Sequence, residues 1–182
     1  MVALKDQLRS MMDPAAFQKM KYTISTGYDL LLPPTTRMNW CKEVWSRLNI
    51  PKHNVIAWLA MLNRLKTLDR LLRFGVQVTS VCCLCNLQME TCQHLFFECS
   101  VAGQCLLEVM KWLGWHAKTS NLQQLLRLIG RSKLSKFKKD TLAAATIGLV
   151  YSLWRTRNDV IWQKSSVNPY RIIEETKWTI KS

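Results

Sequence analysis

Six potential metal ligands, Cys82, Cys83, Cys85, Cys92, His94 and Cys99, fall within 18 consecutive residues. Thiolate sulfur and imidazole nitrogen favour zinc over calcium or magnesium, which take oxygen donors. Four of the six residues are spaced C-x2-C-x8-H-x4-C, through Cys82, Cys85, His94 and Cys99. Two residues between the first cysteines allow a tight turn that aims both thiolates at one ion. Four residues between His94 and Cys99 suit a short helix ending that delivers the second pair. Four protein ligands close a tetrahedron and leave no open position, so the expected role of the metal is structural.

Cys83 and Cys92 compete for these roles. One residue separates Cys83 from Cys85, and one separates Cys92 from His94, which strains a chelating turn. A set in which Cys83 or Cys92 replaces a ligand stays open, as does a group of plain buried thiols. Cys41 and Cys105 stand apart and are expected as core or surface thiols. His53 and His116 lack ligand-type neighbours and are expected in surface or capping roles. Seven cysteines are an odd number, and the first residues do not read as a secretory signal, so a disulfide framework is not expected.

Helices must position this cluster. Residues 21–32 (KYTISTGYDLLL) alternate in a β-prone way and then run apolar into Pro33-Pro34, predicting a short strand and a helical turn. Trp40, Val44, Trp45 and Leu48 follow helical spacing. Pro51 suits a first helical turn with Asn49 as a nearby cap, and Val55, Trp58, Leu59 and Leu62 predict the apolar face that follows. Thr67 is placed to cap a third helix, buried through Leu68, Leu71 and Leu72 and stopped by Gly75. Beyond the cluster, residues 102–112 read as helical. Ser120-Asn121-Leu122-Gln123 resembles a capping box for a helix ending before Gly130. Residues 132–162 read as one long helix or two abutting ones, and Asn168-Pro169 opens a last helix over 170–180. The expected fold class is mainly α, a helical domain with a small irregular zinc-binding subdomain. The expected division is an N-terminal lead-in at 1–38, a zinc-binding domain at 39–115 and a helical C-terminal extension at 116–182.

Charge suggests a partner. The net charge is +14: residues 1–80 hold twelve cations and five acids, residues 81–182 fourteen and seven, so the excess is even along the chain. An evenly basic domain attracts polyanions, and RNA or DNA bound non-specifically through phosphates is the expected partner. The candidate contacts are Lys66, Arg70 and Arg73, spaced along one helical face, and Arg131, Lys133, Lys136, Lys138 and Lys139, five cations in nine residues. The longest apolar run, residues 141–154, has 14 residues, fewer than the roughly 20 that span a bilayer. No membrane association, no secretion and no small-molecule substrate are expected; the expected location is intracellular, nuclear or cytoplasmic.

The order of these residues resembles a known family. Val44-Trp45, then Ile50-Pro51-Lys52 and Trp58, then Asn63-Arg64-Leu65-Lys66-Thr67-Leu68, then Cys82 and Cys85, then Glu90-Thr91 and His94-Leu95-Phe96-Phe97-Glu98-Cys99 are similar to the zinc-binding domain of plant LINE-type (non-LTR) retrotransposon reverse transcriptases. The specific part of this resemblance covers about residues 40–115. Weaker echoes lie at residues 21–28 and at Leu153-Trp154-Arg155-Thr156-Arg157-Asn158, similar to a W-x-x-R-N stretch of the family. The resemblance implies an accessory zinc module, with Cys82, Cys85, His94 and Cys99 as ligands, that helps a retroelement polymerase engage template RNA or target DNA.

The chain lacks a Y-x-D-D polymerase motif, a Gly-rich phosphate or nucleophile loop and a convincing cluster of carboxylates. It is therefore expected to be no enzyme, and to be a remnant of a retroelement reading frame. The alternative function is a protein-interaction or structural module without direct nucleic-acid binding, in which exposed aromatic residues form a docking patch.

Overall fold

The computed structural model describes residues 38–116, 119 and 121–181. The strand and turn expected within residues 21–34, and the Ser120 position of the capping box, lie outside these residues.

Among the described residues seven α-helices run in order: α1 (Cys41–Val44), α2 (Pro51–Met61), α3 (Leu68–Arg73), α4 (Ser100–Trp112), α5 (Leu122–Arg131), α6 (Lys136–Gln163) and α7 (Pro169–Lys181), with a π-helical segment, His94–Glu98, before α4. Among the described residues there is no strand beyond one isolated antiparallel bridge, Val81 to Met89. The class is mainly α, with an irregular Cys/His region between α3 and α4.

Residues 132–162 resolve into one helix, α6, which starts at Lys136 after the cap Ser135, whose hydroxyl accepts from Lys138 N at 3.3 Å. It runs 28 residues, far longer than a free helix could sustain without tertiary support. Its middle is a stretch of small buried side chains, Ala143, Ala144, Ala145 and Gly148, flanked by Leu142, Ile147, Leu149 and Val150. Small residues let neighbours approach closely, and α1, α2, α4, α5 and α7 all pack against it. A Cβ added at Gly148 would lie 3.9 Å from His53 Nδ1 on α2 and 4.0 Å from Thr176 Cγ2 on α7, so three helices meet there.

This packing rotates α2 away from the expected face. Val55 and Trp58 point outward at 43% and 36% exposure, while His53, Asn54, Ala57, Ala60 and Met61 are buried. Periodicity weighted by bulk misses a face built from alanines. α1 is also shorter than expected. The Asn49 side-chain amide donates to the carbonyls of Glu43 and Val44 at 2.8 and 2.9 Å, satisfying the end of α1 rather than capping α2. Trp40 and Val44 are buried, but Trp45 and Leu48 are left about half exposed. On α3 only Leu68 is buried; Leu71 is half-buried and Leu72 exposed. Gly75 ends this stretch with φ +77°, a conformation glycine takes without strain.

His53 departs from its expected surface or capping role. It is buried, stacked on Tyr151 with centroids 4.2 Å apart, and its pKa is pushed down to about 4 by burial, with Lys52 and Arg155 adding to the effect. His116 is exposed. Cys105 is in the core and Cys41 is half-buried. No helix among the described residues is long and apolar enough to cross a membrane.

Candidate metal centre

The first half of the centre is a knuckle. Val81 and Met89 bridge, Cys82 N donates to Gln88 O at 2.7 Å, and Asn86 N donates back to Cys82 O at 2.8 Å. The turn closes because Asn86 adopts φ +55°, the left-handed region that asparagine tolerates better than most residues. The backbone N–H groups of Leu84 and Cys85 point at the Cys82 sulfur, where they favour the thiolate.

The second half is the π-helical segment. Thr91 Oγ1 accepts from His94 N at 2.9 Å and starts it; Cys99 N donates to His94 O at 2.8 Å and ends it. The wide turn brings His94 and Cys99 to one side. Cys99 is also the N-cap position of the 13-residue α4, where the helix macrodipole and the N–H groups of Val101 and Ala102 favour negative sulfur.

The two halves meet. The donor atoms of Cys82, Cys85, His94 and Cys99 all lie within 4.8 Å of one another, and Cys85 Sγ is 3.3 Å from His94 Nε2. A tetrahedral zinc with Zn–S near 2.3 Å and Zn–N near 2.0–2.1 Å sets its ligand atoms roughly 3.5–3.8 Å apart, so small side-chain adjustments suffice. Three sulfurs and one imidazole suit zinc chemically. Cys82, His94 and Cys99 are buried and Cys85 is half-buried, so the centre is closed on most sides. The Cys82 thiol donates to Cys99, which raises the pKa of Cys82 and lowers that of Cys99. The shift at Cys99 is toward the thiolate, the form a metal takes. His94 Nδ1 is buried with no hydrogen-bond partner among the described residues.

Cys83 and Cys92 turn elsewhere. Cys83 donates to the carbonyl of Arg157 on α6 at 3.7 Å, and Cys92 to that of Ala60 on α2 at 3.5 Å. Burial pushes the pKa of each up to about 12, which suits neutral thiols tying the cluster to its neighbours.

The charged candidates divide into two groups. On α3, Arg70 donates to Asn63 O and lies over Phe74, and Arg73 pairs with Asp69 at 2.7 Å while 71% exposed; Lys66 is exposed just before this helix rather than on its face. At the α5–α6 junction Arg131, Lys133 and Lys136 are exposed, Lys138 is half-buried, and half-buried Lys139 donates to Gly130 O at 3.2 Å.

Two residues that carry the centre's support had no role assigned from sequence, although both lie in stretches that carried the resemblance. Glu90 Oε1 accepts from Leu68 N at 2.9 Å, capping α3, and from Arg157 Nη2 at 2.8 Å. Arg157 in turn lies 4.9 Å from the Trp154 ring centroid and donates to Asn158 Oδ1 at 2.9 Å. The Glu-Thr pair and the W-x-x-R-N stretch are therefore one contact, joining the cysteine region to α6.

Searches of curated proteins and of solved structures each returned no match. Residues 22–105, which contain all four clustered ligand-type residues, match the family described as zinc-binding in reverse transcriptase.

Proposed function

We propose that this chain is a non-catalytic accessory module of a plant LINE-type reverse transcriptase, held by one structural zinc on Cys82, Cys85, His94 and Cys99, that binds RNA or DNA through phosphates. The observation that carries nucleic-acid binding is the cation-rich α5–α6 junction, with Arg131, Lys133 and Lys136 exposed. Four protein donors around one point leave no coordination position for a substrate, which supports the non-catalytic reading. Binding of this kind is sequence-blind and falls as salt rises. Fluorescence anisotropy of labelled single strands with the zinc-loaded protein tests it: retention near 50 mM salt and release at higher salt are expected. Binding no tighter than that of a neutral control protein would remove the proposal.

The second reading is a docking module for a retroelement polymerase. It is favoured by Trp162, Tyr170 and Trp178, which are 68%, 71% and 71% exposed on the last two helices. Under that reading, charge reversal across residues 131–139 leaves partner binding intact.

A further inference from the structure

A groove of about 490 Å³ lies between α1 and the α5–α6 junction. This volume falls in the range of small-ligand pockets. Four cations line it, Lys42, Arg47, Lys136 and Lys139, against two acids, Glu43 and Asp140. Lys42, Arg47 and Lys136 are exposed, and among the described residues none of them is in an ion pair. Lys139 uses one N–H on the Gly130 carbonyl and keeps two. The same groove is lined by Trp45, 51% exposed. Its backbone N–H donates to Cys41 O at 3.0 Å, so the residue is fixed at the end of α1.

Unpaired cations beside an exposed, anchored tryptophan form the combination that holds a single strand, with phosphates on the cations and a base on the ring. A duplex keeps its bases stacked inside and cannot offer one to Trp45 without the cost of flipping it out. One of the two acids in the groove, Glu43, is compatible with a base. Glu43 lies against Gly130, where an added Cβ would sit 2.5 Å from its Oε1, and its Oε2 is buried without a partner among the described residues. A carboxylate oxygen repels phosphate but accepts from the amino group of a base. Of the groove residues, Lys42, Trp45 and Arg47 precede the cysteine cluster and Lys136 follows it; folding around α6 brings them together.

We infer that this groove is a nucleotide-sized subsite for single-stranded nucleic acid, with one base on Trp45 and the adjoining phosphates on Lys42, Arg47 and Lys136. The inference rests on the nucleic-acid reading above and adds where and how the strand is held.

The test uses the full, zinc-loaded chain and two labelled probes, a short single strand and the same strand made abasic. Trp45→Ala is expected to weaken binding of the normal strand by roughly 5- to 100-fold and to leave the abasic strand unchanged, with Trp45→Phe recovering most of the loss. Lys42→Gln and Arg47→Gln are expected to lower the slope of log affinity against log salt by roughly 0.7 each. Both are exposed, so they carry the test if Trp45→Ala fails to fold by circular dichroism and zinc content. If the wild type binds but these variants leave affinity and slope unchanged, the groove is wrong and the general reading stands. Equal weakening of normal and abasic strands by Trp45→Ala would also remove the stacked base. If the wild type binds neither strand at low salt, both inferences fall.

Discussion

Arg157 and Glu90, 67 residues apart in sequence, form a bidentate ion pair with Nη2 to Oε1 at 2.8 Å and Nε shared between Oε1 at 3.0 Å and Oε2 at 3.3 Å, at 2% and 0% side-chain exposure. Residues on both sides of the metal centre depend on this pair. Glu90 caps α3 and precedes Thr91, which fixes the turn carrying His94; Arg157 anchors the cysteine region to the long helix. The cysteine region, within the span 22–105 that matches the zinc-binding family, is thus tied to a residue well beyond that span.

Breaking the pair from one side strands a buried charge. Arg157→Ala or Glu90→Ala is expected to destabilise the zinc-loaded protein by about 3–5 kcal/mol in urea unfolding. Arg157→Lys should rescue little, because an ammonium cannot reproduce the bidentate fork. The double variant Glu90→Ala with Arg157→Ala should cost less than the two single losses added together. Additive costs would show that the residues do not act as a pair.

Metal removal should unfold more than a loop. Structural zinc contributes roughly 10–16 kcal/mol in small zinc-finger peptides, comparable to the about 5–15 kcal/mol net stability of a domain. Chelation is expected to abolish amide protection across at least residues 76–100, read by hydrogen exchange. Protection retained there at full strength would show that the fold does not depend on the ion.

Acid should weaken the α2–α6 contact through His53. Its folded pKa of about 4 lies below the ordinary value of 6.5, because burial, then Lys52, then Arg155, disfavour the cation. The unfolded chain therefore binds the extra proton first, and stability falls as pH drops from about 6.5 toward 4, by on the order of 3 kcal/mol at most. The zinc ligands also protonate in acid, so the comparison is with His53→Phe, which keeps the ring stack on Tyr151. The wild type should lose stability more steeply than this variant over that window; parallel curves would show that His53 does not titrate there.

One exposed cap offers a smaller test. Asn121 Oδ1 accepts from Gln124 N at 2.8 Å and starts α5. Asn121→Ala should cost about 1 kcal/mol without loss of metal.

Much of the metal centre was legible because chelating turns are local: the knuckle from Cys82 to Asn86 and the turn from His94 to Cys99 each need only a few adjacent residues. The helix stop at Gly75 was legible for the same reason, whereas the one expected before Gly130 was not, because α5 runs through that glycine to Arg131. The buried faces of α1 and α2 were not. They depend on how closely α6 can be approached, which the run of small residues around Gly148 determines, and this leaves Trp45 and Trp58 substantially exposed despite their apolar spacing. The Glu90–Arg157 pair was visible only as two separate motif fragments, since nothing local joins them. The groove lined by Trp45 and Lys136 was hidden likewise, being assembled from segments some 90 residues apart.

The proposed module stands or falls on one zinc held by Cys82, Cys85, His94 and Cys99. Elemental analysis of the purified protein, alongside Cys82→Ser and His94→Ala, tests it most directly. One zinc per chain is expected in the wild type, and its loss in both variants. Full zinc retention in either variant, or none in a folded wild type, would contradict it.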